Sequence, residues 1–239
     1  MLVPSMRWRT PLVALGLAWI AGAFSSACSP GQLRPAGPHP VSFPTPDGGL
    51  VVANEYGTGD RGVVLAHGAR FDKESWDPEA RALAGSGFRV LAIDFRGYGG
   101  SRAGSAPQAL ELDVLAAVRF LRGSGANSVA VVGGSMGGGA AAQAAVAAEP
   151  GEIDRLVLLA HAPIDHPERM QGRKLFVVSR GDVDGKGSPR LARIQDQYER
   201  APGPKEIVVL DGSAHAQNIF ATEQGPELSS SILRFLSAP

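Results

Sequence analysis

The stretch SVAVVGGSMGGGAAAQAAVAAEP, Ser128 to Pro150, decides how this chain is read. Ser128–Val132 is a short β-branched apolar run, which spells a buried strand. From Met136 to Ala148 the residues are small and helix-compatible, and Pro150 stops them. Between the two lies Gly133-Gly134-Ser135-Met136-Gly137, a G-x-S-x-G pentapeptide. A strand that turns sharply into a helix lifts the middle serine clear of the sheet. The residues two before and two after it must be small, because such a turn brings backbones into contact.

Outward from this stretch, short apolar runs alternate with longer amphipathic ones. Gly49–Tyr56 and Gly62–Ala66 read as neighbouring strands joined by a turn at Gly57 to Asp60. Further strands are expected at Arg89–Asp94, Ile153–Ala160, Lys174–Ser179 and Lys205–Leu210. Helical spacing covers Glu74–Ser86, Pro107–Leu121, Pro189–Glu199 and Glu227–Leu236. Near-continuous apolar strands separated by helices define the α/β class: a mostly parallel central sheet of about eight strands, with helices on both faces. In such sheets, ligands bind beyond the carboxyl ends of the strands.

The 239 residues are 44% hydrophobic, enough for one sizeable core. Lys+Arg and Asp+Glu are both 23, and this balance excludes a broad attraction to nucleic acid. Residues 1–27 read as a signal peptide. Arg7 and Arg9 precede the apolar run Pro11–Phe24, and small residues follow it. The run is too short to span a bilayer comfortably. Ser25-Ser26-Ala27-Cys28 resembles the lipobox of bacterial lipoproteins, although Ser25 stands where that family prefers Leu. The resemblance implies lipidation of Cys28, the single cysteine, and Ser29 after it implies delivery to the outer membrane. Residues 28–40, rich in Pro and Gly, read as a linker, and the domain is expected over 41–239.

Ser135 needs a base to become nucleophilic. Of five histidines, His215 follows the last expected strand and stands in a loop able to reach across the sheet's end. An acid partner is expected after Lys174–Ser179; Asp182 is the better placed, with Asp184 the alternative. Taken together, His67-Gly68, Asp94-x-Arg96-Gly97-x-Gly99-x-Ser101, the Ser135 pentapeptide, Asp182 and Gly212-x-x-His215 resemble the α/β-hydrolase superfamily over about Gly49 to Leu236. The likeness is to its bacterial esterase and dienelactone-hydrolase-like branch. It implies a Ser135–Asp182–His215 triad that cleaves carboxylic esters or thioesters of small molecules. It also implies an oxyanion hole formed by the Ala69 and Met136 amides, and a structural role for His67.

Only His161 to Arg173 separates the sixth and seventh strands, so no large cap domain is expected. The open pocket is expected to be lined by Arg70, Phe71, Met136 and Ile164. His161, Asp165 and His166 read as surface polar residues rather than metal ligands, and Asp182-Val183-Asp184 lacks the rest of a calcium loop. The sequence calls for no metal and no organic cofactor. A dinucleotide fingerprint, Gly137-x-Gly139-x-x-Ala142, falls inside the expected helix and not at its start, which argues against that use. A catalytically inactive, binding-only domain is the remaining alternative.

Overall fold

The structure, a computed structural model, describes residues 37–239. The expected signal peptide, Cys28 and most of the expected linker lie outside the described residues. Among the described residues the strands are β1 (His39–Pro44), β2 (Leu50–Tyr56), β3 (Arg61–Ala66), β4 (Phe88–Ile93), β5 (Ser128–Gly134), β6 (Arg155–Leu159), β7 (Arg173–Ser179) and β8 (Lys205–Leu210). The helices are α1 (Asp77–Gly85), α2 (Glu111–Gly123), α3 (Met136–Ala147), α4 (Arg190–Arg200) and α5 (Gly225–Ser237). The last two expected linker residues, His39 and Pro40, open β1. Pro40 is tolerated there because β1 is an edge strand.

One sheet runs in the order β1-β2-β4-β3-β5-β6-β7-β8. β1 and β2 are antiparallel additions; every pairing from β4 to β8 is parallel. The expected adjacency of the second and third strands is corrected, because β4 lies between them. The connection from β2 to β3 passes over the start of β4, and its glycines make room. A Cβ on Gly57 would lie 2.4 Å from Phe88 O, and one on Gly59 would lie 2.0 Å from Gly87 O. Local patterning carries no trace of this crossing.

Two helix starts also move. Pro78 sets the first turn of α1, and Lys73–Trp76 before it forms a 3-10 turn capped by Asp72. α2 begins at Glu111, later than its apolar spacing indicates. α2, α3 and α4 cover one face of the sheet. α1 and α5 cover the other, where they share a cavity of about 180 Å³ with Leu65 and Val132. α3 is buried from Gly137 to Ala142, three glycines and three alanines whose small size allows it to sit close to the sheet.

Strand order reverses at β3: α1 leads to β4 on one side, and α2 returns to β5 on the other. This switch point opens a crevice at the carboxyl ends of β3 and β5, where His67-Gly68 and Ser135 emerge. The segment after β4 is latched from beneath. The Arg96 guanidinium, 1% exposed, pairs with Asp113 at 2.7 Å and Asp47 at 2.9 Å. Asp94 accepts from Lys73 N and Nζ. A Cβ on Gly99, at φ 50°, would fall 2.0 Å from Asp94 Oδ2.

Candidate active site

Ser135 sits at the tip of the β5–α3 turn with φ 53° and ψ −111°, a conformation that costs a non-glycine residue about 1–3 kcal/mol. The surrounding backbone imposes it. Ser135 N–H donates to Leu159 O at 2.9 Å, and Ser135 O accepts from Ala162 N–H at 2.9 Å and Gly139 N–H at 3.0 Å. The two outer glycines of the pentapeptide are steric requirements: a Cβ on Gly133 would lie 2.4 Å from Gly137 O, and one on Gly137 would lie 2.3 Å from Ala66 O. Gly137 and Gly139 are inside α3, packed against protein.

His215 precedes the 3-10 segment Ala216–Ala221. Its Nε2 is 2.8 Å from Ser135 Oγ, and its Nδ1 is 2.7 Å from Asp182 Oδ2. A carboxylate only accepts, so Nδ1 donates to Asp182, and the bare Nε2 accepts the Ser135 hydroxyl proton. The Asp182 side chain is 1% exposed, and Arg190 Nε lies 3.3 Å from its other oxygen. Loops after β7 and β8 are stitched together by Gly181 N–H to Gly212 O at 2.8 Å and Ser179 Oγ to Ala214 O at 2.7 Å. Asp184 is committed elsewhere. It accepts from Lys186 N–H and Ser188 N–H, both at 2.9 Å, and pairs with Arg193 at 2.8 Å.

The Met136 amide opens α3 and has no acceptor within the helix. Among the described residues, no backbone acceptor takes the Ala69 amide outside regular strands and helices. Buried His67 orients the peptide that carries it. His67 Nε2 accepts Phe95 N–H at 3.2 Å, which leaves Nδ1–H to donate to Gly68 O at 2.9 Å. Gly68 C=O and Ala69 N–H belong to one planar trans peptide, so fixing the first fixes the direction of the second. Burial lowers the His67 pKa, which favours this neutral form.

Two further residues of the site, Tyr98 and Gln217, are not marked by any sequence motif. The Tyr98 hydroxyl donates to Ala69 O at 3.0 Å and lies 3.8 Å from Met136 Sδ. Its ring meets His67 edge-on at 4.7 Å. The one sequence signal for Tyr98 is its place between Gly97 and Gly99, both of which take positive φ.

Other expected positions differ. Arg70 is exposed at the rim, and Phe71 lines a groove with Trp76, Glu79 and Gln217. Ile164 is corrected: it is buried and lines a separate cleft with Pro107, Gln143 and Val146, which contains neither Ser135 nor His215. The bond from Ile164 N–H to Gln197 Oε1 at 3.0 Å holds it toward α4. His161 is corrected too. It is 1% exposed, not at the surface, with its ring edge-on to Phe176 and both ring nitrogens unpartnered. His166 is exposed and pairs with Glu168 at 3.0 Å. Among the described residues no cluster of three metal-ligating side chains occurs, and no helix is long and apolar enough to cross a membrane.

A family model described as alpha/beta hydrolase fold matches residues 63–201. The chain belongs to that family. Among curated proteins it is 32% identical over 123 residues to a non-heme chloroperoxidase of Streptomyces lividans, covering 50% of this chain and 44% of that one. It is 40% identical over 86 residues to the bifunctional epoxide hydrolase 2 of Sus scrofa, covering 35% and 15%. The chain thus spans less than half the length of each of these relatives. Among solved structures, a Pyrococcus furiosus esterase superposes with a TM-score of 0.69 at 19% identity, covering 83% of this chain and 90% of that one. A dienelactone hydrolase from Anabaena variabilis gives 0.65 at 19% identity, covering 84% and 97%. These similarities establish the fold.

Proposed function

We propose that this protein is a serine hydrolase that cleaves carboxylic esters or thioesters of small molecules through an acyl-enzyme. The observation that carries the reading is the unbroken relay from Asp182 Oδ2 through His215 to Ser135 Oγ, with both links under 3 Å. The named relatives include an epoxide hydrolase and a chloroperoxidase, so family membership leaves the reaction open, and the choice rests on this chain's own side chains.

In the proposed reaction, His215 Nε2 takes the Ser135 hydroxyl proton as Oγ attacks the carbonyl carbon. Asp182 stabilises the imidazolium that forms. The carbonyl oxygen gains negative charge, which the Ala69 and Met136 amides receive at the positive end of α3. His215 then gives its proton to the leaving alcohol or thiol. Water, deprotonated by the same Nε2, attacks the acyl carbon and restores Ser135 with release of the acid. The short β6–β7 connection, with one 3-10 turn at Pro167–Arg169, supports an open site suited to small or surface-presented esters.

The test is turnover of p-nitrophenyl acetate. The reading expects hydrolysis by the wild-type chain and its loss in Ser135→Ala; equal rates in the two would overturn it. The N-terminal reading is a separate proposal: export, lipidation of Cys28 and attachment to the bacterial outer membrane. Incorporation of a labelled fatty acid that disappears in Cys28→Ser supports it, and incorporation unchanged by that substitution refutes it.

A further inference from the structure

Gln217 lies two residues beyond His215 and has no part in the proton transfers above, yet it touches three parts of the site. Its Oε1 accepts Gly68 N–H at 2.7 Å across 149 residues of chain. Its Nε2 donates to Ser75 Oγ at 3.0 Å, and that hydroxyl donates onward to Asp72 O. Its Cγ is 3.3 Å from where a Cβ on Gly134 would be, so it packs against the backbone just before the nucleophile. Only 7% of Gln217 is exposed. Ala216, between His215 and Gln217, is held at φ 49°. A strained residue of this kind persists only where its surroundings hold it, and both its neighbours are engaged.

We infer that Gln217 is a positioning residue that sets the distance between the base and the oxyanion hole, and the inference rests on the hydrolase reading above. The two peptides flanking Gly68 are pinned from opposite sides. Gln217 holds the peptide that ends in Gly68 N–H, and His67 holds the next one, which carries the Ala69 amide. The carboxamide is thus a rigid brace between the loop that carries His215 and the loop that carries an oxyanion donor. Without it, the His67 and Tyr98 bonds still orient the Ala69 peptide, but the loop that carries it is no longer tied to the His215 loop and can shift away from the developing oxyanion, while ground-state contacts of the substrate persist. The loss therefore falls on kcat and not on KM.

The experiment compares wild type, Gln217→Met, Ser75→Ala and Ser135→Ala on p-nitrophenyl acetate, with affinity for a phenylboronic acid measured alongside. Gln217→Met keeps volume and removes the strong acceptor. It is expected to lower kcat about 10- to 100-fold, in line with small misplacements of reacting groups, with KM within about twofold. Boronate affinity should fall by a similar factor. Ser75→Ala, which frees one end of the brace without touching Gly68, should give a smaller loss of the same kind. Unchanged kcat in both folded variants overturns the inference, as does a loss confined to KM. If Ser135→Ala retains wild-type turnover, the hydrolase reading itself falls, which separates the two failures.

Discussion

His215 Nε2 and Ser135 Oγ stand 2.8 Å apart although 80 residues separate them in the chain. Their meeting depends on sheet order. β5 delivers Ser135 near the middle of the sheet and β8 lies at the far edge, so the segment after β8 must cross the ends of β6 and β7. Gly212, at φ 90°, turns it inward.

The proposed acid partner can be separated from its neighbour by substitution. Asp182→Asn keeps the shape and removes the charge that fixes the His215 tautomer. It should lower kcat about a thousand- to ten-thousand-fold. Asp184→Asn, whose side chain serves a turn and Arg193, should stay within about twofold of wild type. Steady-state kinetics on one ester checks both.

Tyr98→Phe removes the hydroxyl that holds Ala69 O and leaves the ring against His67. A single neutral hydrogen bond is worth about 1 kcal/mol, so kcat should drop roughly fivefold with the melting temperature little changed. A rise in KM alone would place Tyr98 in substrate binding instead.

Much of this candidate site was legible because its residues lie at or just beyond the carboxyl ends of strands. Ser135 follows β5 at once, Asp182 and His215 stand in the loops just after β7 and β8, and steric need wrote glycines around the proposed nucleophile. Tyr98 and Gln217 were illegible for the opposite reason. Each acts through a bond to a backbone atom 29 or 149 residues away, and nothing in the local pattern marks such a partner. The place of β4 between β2 and β3, and the turning of Ile164 into a different cleft, likewise follow from tertiary packing that strand and helix periodicity do not encode.

Burial pushes the His161 pKa down to about 4, whereas in an unfolded chain it titrates near ~6.5. Between these values the unfolded chain takes up a proton that the folded chain refuses. This contribution to stability is therefore full above ~6.5 and is lost as pH falls toward 4. His161→Leu should show a shallower fall in melting temperature between pH 7 and pH 4.5 than wild type. Parallel curves would contradict the assignment.

Arg96→Met leaves Asp113 buried without its partner, with Asp47 unpaired nearby. Breaking a buried pair from one side costs about 3–5 kcal/mol, a fall of roughly 6–20 °C in melting temperature for a domain of this size. Thermal unfolding at neutral pH measures it, and a change under 2 °C would be incompatible with the latch described.

The most direct measurement is covalent labelling by a fluorophosphonate followed by peptide mass mapping. One adduct is expected, on Ser135, formed at least about 100-fold more slowly in His215→Ala because the hydroxyl has lost its base. An adduct elsewhere, or an equal rate at Ser135 without the imidazole, would contradict the proposed mechanism.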